Sequence, residues 1–471
     1  MAVTLSSSFP PATREAWLAL VAKTLGEAPF SSLEKTTAEG LPVEPLYDAA
    51  DRPAGFPTRP FHEDRPWDLR TLTRHPDPPA ANAEVLRDLE GGAASVIVRI
   101  DPTGAKGVAV GSAEALAQVF ADVVPEFATL ALDAGFLGPK AADWLSAVAK
   151  ASPGAKLAFH LDPLSAFAES GTSPGPIESH LVSAATAGLR LGDTYPQAQL
   201  FLASGRVVHE AGGGEAAEVA FAAASGLAYA RALVRAGAPM ADAFARITLG
   251  LAADADYFTT IAKLRAARAV WARIAAGCGT DPLARIEARA SQRMLTAKDA
   301  WSNMIRLTAA GFGAAVGGAD AVVLGQFTDA LGLPTAFARR QARNTQLVLM
   351  EEAHVGRVAD PAAGSGYVEA LTAEIARAAW AKFQAIEVAG GAIEALAAGH
   401  ISADVEAAKT ARPEPKIIGV TAFPPTKDEP VEIERATPKA VEAPFPRLPG
   451  PDSACPPLTP MRIAEAFEAA A

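Results

Sequence analysis

Two histidines stand where proton chemistry could be built. His160 lies two residues before Asp162 in "KLAFHLD", and His209 lies in "SGRVVHEAG", residues 204–212. An imidazole near a carboxylate can work as an acid–base pair or hold a metal ion. The plainer reading packs His160 inside a strand and lets His209 cap a helix. No HxxxH spacing marks a metal. A second candidate is "DPAAGSGY", a Gly-Ser-Gly turn before a helix whose first N–H groups could bind phosphate. Its spacing fits neither the Walker loop nor the dinucleotide fingerprint, which leaves Ser365 as a helix cap. A third is "IAKLRAARAVW", which sets Lys263, Arg265 and Arg268 on one helix. Such charges usually form a solvated face, and they could also meet an anionic coenzyme.

These residues need a frame to position them. From residue 95 a short apolar run is followed by a helical stretch, eight times over. The runs fall at 95–100, 128–134, 156–162, 198–205, 246–252, 285–291, 320–326 and 357–362. Near-continuous apolar runs of this length suit strands buried on both faces. Eight such units predict an α/β fold, a closed (β/α)8 TIM barrel, with a doubly wound open sheet as the competing layout. In a barrel the chemistry sits at the C-terminal strand ends. Those ends are Asp101, Asp133, His160 with Asp162, Ser204 to His209, Asp254 with Asp256, Ser291, Gln326 and Asp360.

Outside the barrel the composition changes. Residues 1–90 read as an N-terminal arm, with a short helix over 12–26 and then an extended segment dense in proline and glycine. Residues 91–410 read as the barrel with C-terminal helices, the first beginning near Tyr367. Residues 411–471 read as an extended, proline-rich tail ending in a short helix, "MRIAEAFEAAA". Extended arms of this kind need a surface to lie on. The net charge of −11 disfavours nucleic acid or an anionic membrane as a partner. Two cysteines make no disulfide framework, and the N-terminus lacks a basic region followed by an apolar run, so a cytoplasmic setting is expected.

Several longer motifs carry a resemblance. They are "EGLPVEPLYDAAD", "RPWDLR" (65–70), "LTAKDAWSNMIR" (295–306), "ARNTQL" and "DPAAGSGYVEALT". Together they resemble the methylmalonyl-CoA mutase family over about residues 30–420. The resemblance implies a barrel that threads acyl-CoA along its axis. It also implies adenosylcobalamin, held by a separate C-terminal domain through Asp-x-His-x-x-Gly, and a radical isomerisation of succinyl-CoA and methylmalonyl-CoA.

Measured against that family, the stretch at 204–212 keeps a frame and changes its centre. Catalytic members read Ser-Gly-Tyr-His-x-x-Glu-Ala-Gly. Here Ser204, Gly205, Glu210, Ala211 and Gly212 match, while the tyrosine position is Arg206 and the histidine position is Val207. A valine cannot donate a hydrogen bond to a thioester carbonyl. The family's His-x-x-Thr-Ser-Gly becomes Glu287, Ala290, Ser291 and Gln292, its glutamine becomes Lys298, and the first residue of its Asn-Asn pair becomes Ser302. No Asp-x-His-x-x-Gly occurs, so a flavodoxin-like cobalamin domain is expected to be absent. The chain therefore resembles the small (beta) subunit of the heterodimeric members. That resemblance implies no catalytic residue here, a catalytic large subunit as partner, and adenosylcobalamin and acyl-CoA bound through that partner. It also implies a barrel axis filled by larger side chains. Two alternatives stay open. One is a CoA- or acyl-CoA-binding regulatory barrel with Arg206, His209, Arg265 and Lys298 as a vestigial site. The other is a self-contained enzyme using His160 and His209.

Overall fold

The computed structural model of the chain describes residues 12–37, 39–48, 51, 55–62 and 65–468. Eight parallel strands close into a barrel: β1 Asp68–Thr73, β2 Ser95–Arg99, β3 Thr129–Asp133, β4 Leu157–Leu161, β5 Gln199–Ser204, β6 Ile247–Ala253, β7 Arg285–Ala290 and β8 Ala321–Val323. β8 pairs with β1 through Val322 and Leu69, which closes the ring. Seven of these strands fall on the apolar runs of the sequence. The eighth run does not: residues 357–362 form a loop, and the missing strand is β1, inside the segment read as an arm. Its sequence, "DLRTLT", has two apolar residues among six and so lacks the continuous apolar signature. The competing open sheet is excluded by the closure.

Alternation along each strand sorts the side chains. Val96, Val98, Leu130, Leu132, Leu157 and Phe159 face the surrounding helices and join the main core. Leu72, Ile97, Ala131, Ala158 and Val323 form a separate small cluster inside the barrel. The helices used below are α1 Arg14–Leu25, α2 Pro78–Glu90, α3 Ala113–Val119, α4 Gly138–Val148, α5 Pro163–Ser170, α6 Ile177–Thr194, α7 Arg206–Glu210, α8 Glu215–Ala236, α9 Met240–Ala245, α10 Tyr257–Gly277, α11 Asn303–Val316, α12 Ala336–Leu347, α13 Gly366–Val388, α14 Ala392–Ala397, α15 His400–Ala411 and α16 Glu465–Glu468. α8 is apolar and long enough to cross a membrane, but 78% of its apolar window is buried, which makes it a core helix.

The two ends of the chain behave differently. α1 has no buried residue; Arg14 is tied to Asp51, and Trp17 meets Phe30 edge-on. The tail, residues 412–468, lies on the C-terminal rim of the barrel and follows it round. Of the terminal helix expected at 461–471, only Glu465–Glu468 is helical, and 469–471 lie outside the described residues.

Candidate functional site

The barrel axis is crossed by charge. Arg70 on β1 holds Glu287 on β7 at 2.7 Å and Asp68 at 2.7 Å, and donates to Ser95 Oγ at 2.8 Å. Arg289, two residues on from Glu287, holds it at 2.7 Å and reaches Asp133 on β3 at 2.9 Å. In an eight-stranded ring β3 and β7 are diametrically opposite, so the Arg289–Asp133 pair spans the lumen. Burial pushes Asp133 up, but Arg99 and Arg289 outweigh it and hold the carboxyl at about 2. Burial acts on Glu287 in the same direction, and Arg289 and His160 overcome it to leave Glu287 far below the usual range. This lattice was absent from the sequence reading, although one signal was there. Arg285, Glu287 and Arg289 alternate along one strand, which puts three charges on one face of a strand expected to be buried on both.

His160 packs against this lattice. Its Nε2 is 3.9 Å from Glu287, and neither ring nitrogen has a hydrogen-bond partner. Its backbone is left-handed, at φ 48, where the β4–β5 register shifts. Burial lowers its pKa to about 4, against the pull of Glu287, so the ring is neutral at pH 7. The lattice also roofs a cavity of about 540 Å³ at the N-terminal strand ends, where Lys156, Arg246 and Arg285 stand.

His209 lies elsewhere, above β5. The stretch read as an active-site loop is a short helix, α7, whose Val207 and Val208 are buried in the core. Gly205 is required there: a Cβ would meet the Glu218 carbonyl at 2.2 Å. His209 is fully buried. Its Nε2 is 2.9 Å from Ser291 Oγ and 3.4 Å from Asp254, and its Nδ1 is 3.2 Å from Glu218 and 3.5 Å from Glu215. His209, Glu215 and Glu218 could offer a metal three ligand atoms within 4.8 Å. The Lys263 ammonium fills that role instead, 2.6 Å from Glu218 and 3.2 Å from Glu215. Arg293 adds a second cation, 3.3 Å from Asp254 and 3.6 Å from Glu215. Three acids thus meet Lys263, Arg293 and a protonated His209, and the set is balanced without an ion.

Burial, Arg293 and Lys263 all depress His209, yet Glu218 and Asp254 prevail and raise it to about 9. A raised pKa contributes stability that is fully present below the unfolded value of 6.5 and is lost as pH rises through 9. Urea unfolding is therefore expected to show a loss of about 3 kcal/mol between pH 6.5 and 9. His209→Gln should be less stable at pH 6.5 and flat across that window. A wild-type profile without a decline would contradict the network.

The sequence candidates do not converge on one site. His160 lies on the axis, and His209 lies in its own buried set. Arg265 is corrected outright: it is buried between α10 and α13, held by Asp360 and by Glu369 at 2.7 Å, and is a structural strut. The Gly-Ser-Gly turn resolves as its plainer reading, with Ser365 capping α13. Arg206 is partly exposed at the mouth, 3.9 Å from Glu210, and the Lys298 backbone N–H is taken by Glu468.

The sequence matches the family profile described as methylmalonyl-CoA mutase over residues 37–445. It is 39% identical to a methylmalonyl-CoA mutase small subunit of Streptomyces virginiae, covering 95% of this chain and 76% of that protein. It is 36% identical to the small subunit from Propionibacterium freudenreichii subsp. shermanii, covering 87% and 67%. A probable small subunit from Mycobacterium bovis is 38% identical, covering 80% and 64%.

Proposed function

The chain belongs to the methylmalonyl-CoA mutase family, and from that premise we propose that it is the non-catalytic small subunit of a heterodimeric mutase. The isomerisation of succinyl-CoA and methylmalonyl-CoA would be carried by a larger partner, in the cytoplasm. The observation that carries this reading is the Arg289–Asp133 pair, which crosses the passage an acyl-CoA would need. The replacement of the family's Tyr-His by Arg206 and Val207 supports it, because a valine cannot donate a hydrogen bond to a thioester carbonyl. Neither of the two barrel histidines is open to hold the cobalt of adenosylcobalamin. His209 is enclosed by Glu215, Glu218, Asp254 and Ser291, His160 is sealed on the axis, and neither can reach a cobalt at the mouth. We therefore assign the cofactor to the partner.

The expected test is co-purification with a catalytic subunit from the same source, then a mutase assay with adenosylcobalamin. Activity should vanish when the partner's site is mutated and survive Arg206→Ala here. Turnover by this chain alone would overturn the reading.

α1 supplies a second test. An isolated 12-residue helix is marginal in water, and α1 exposes Leu18 and Leu20 with no residue buried. We assign it to the contact with the larger subunit. Leu18→Asp with Leu20→Asp is expected to weaken association at least about tenfold. The melting temperature of the isolated chain should stay unchanged, because neither side chain packs on the barrel. Equal affinity by titration calorimetry would remove α1 from the interface.

One observation favours a second reading, a CoA-binding regulatory barrel: the cavity of about 540 Å³ with Lys156, Arg246 and Arg285 at its edge. These are not the cations suggested by sequence, which lie at the opposite end or in the outer layer. A binding isotherm with CoA separates the readings, and saturable binding by the isolated chain would favour this one.

A further inference from the structure

The tail makes a complete circuit of the barrel mouth. It leaves α15 with Arg412 donating to the Gly212 carbonyl above β5. The Ile418 carbonyl then accepts from Arg306, and Asp428 accepts the Asp299 N–H beyond β7. Glu434 pairs with Leu333 beyond β8 and approaches His75 beyond β1. Val441 bonds Pro102 beyond β2, and Cys455 and Leu458 bond Gly171 and Ala168 beyond β4. Met461 returns to Glu210 above β5, and Ile463 goes on to Arg293 above β7.

The circuit closes on itself at one place. Glu468 Oε1 accepts the Ala297 N–H at 2.6 Å and the Lys298 N–H at 3.3 Å, and its Oε2 takes Arg462 at 2.8 Å. The next N–H along, that of Asp299, holds Asp428 from the start of the same circuit. Three successive amides thus hold an early and a late point of the collar, in a loop whose Asp299 is left-handed at φ 50.

The last stretch of the collar covers something. Ile463 walls a cavity of about 190 Å³ together with Glu39, Glu215, Asp254, Arg293 and Arg412, beside the buried His209 set. Between Leu458 and Glu468 the chain has few apolar anchors, with Leu458 and Ala464 buried. Its other ties are the backbone bonds of Leu458, Met461 and Ile463, a bond from Arg462 to the Leu295 carbonyl at 3.4 Å, and the Glu468 clasp. A segment with so little buried surface belongs to the low-stability end of a structure.

We propose that residues 458–468 form a lid over this cavity, latched by Glu468 on the amides of Ala297 and Lys298. The latch is the charged contact that holds the far end of this segment to the barrel loops, so its loss opens 458–468 and leaves the rest of the collar seated.

The experiment is hydrogen exchange, read by mass spectrometry on the full chain, comparing wild type with Glu468→Ala and Arg447→Ala. Charge-assisted bonds to backbone amides are among the stronger ones, so Glu468→Ala should speed exchange at 461–463 by about tenfold or more. The barrel strands should exchange as in wild type. Arg447→Ala breaks an exposed pair with Asp452 upstream of the lid and should leave 461–463 unchanged. Unchanged exchange at 461–463 in Glu468→Ala overturns the proposal. So does loosening of the barrel strands together with the lid, which would make Glu468 part of the fold rather than a latch. Equal loosening by Arg447→Ala would make the tail a single unit without a clasp, and also overturns it. Should Glu468→Ala not fold, Glu468→Gln removes the charge of the clasp while keeping its size and is read in the same way.

Discussion

Lys263→Met is expected to cost roughly 3–5 kcal/mol of stability, the cost of removing one partner from a buried charge set. The ammonium is 1% exposed and stands between Glu218 and Glu215. Burial opposes its charge, and the two glutamates more than restore it, so its pKa lies well above that of a free lysine. Without it, Glu218 keeps the Ala252 N–H and His209, and Glu215 keeps Arg293 and His209. Three buried acids then face two cations. Denaturant unfolding at pH 7 measures the loss. A change below about 1 kcal/mol, the range of exposed ion pairs, would mean that water reaches the set. Adding Glu218→Gln to Lys263→Met removes one of the stranded charges, so the double variant should recover part of the loss. That recovery separates electrostatic stranding from the loss of the lysine's packing.

The barrel was legible because seven of its strands are short, mostly apolar runs recurring between helical stretches, though β7 carries charge on its inner face. β1 escaped because its inward residues are Asp68, Arg70 and Leu72, two of them charged, so the run never reads as continuous. The error at 357–362 has the same root: a count of eight was completed from the wrong end of the chain. The functional residues were less legible than the strands. His160 and His209 were visible as residue types, but Glu287, the partner of His160, lies 127 positions away across the barrel, and Glu218, a partner of His209, stands nine positions on in the next helix at a spacing that marks no motif. Val207 shows the reverse case. Its departure from the family's histidine could be seen in sequence, and the structure adds where it goes, into the core beside Val208. Arg265 lay in a motif with Lys263, and the fold sends the two to different partners, one to α13 and one to α8.

Glu287→Gln is the second large effect expected, again roughly 3–5 kcal/mol at pH 7, because Arg70 and Arg289 both lose the carboxylate they share. The pH dependence distinguishes this from a packing defect. Glu287 is depressed in the folded state, so its contribution is present above the ordinary carboxylate value and is lost as pH falls towards the folded one. Wild type should therefore lose stability steadily below about pH 4, where a free glutamate titrates, and Glu287→Gln should lose less over that range. Asp133 titrates with the same sign and remains in the variant, so the acid slope should become shallower and not vanish. His160 also remains, but its loss of stability falls between its unfolded value of 6.5 and its folded value of about 4, above the range compared. A variant with an unchanged acid slope would show that Glu287 is not the shared anion of the lattice. Stability alone does not explain why a barrel axis carries charge, since an apolar replacement of a whole buried set is often neutral or stabilising. Replacing Arg70, Asp133, Glu287 and Arg289 together by apolar residues of similar size should thus be tolerated far better than Glu287→Gln. That outcome would mean that the lattice holds the lumen shut at no net gain in stability.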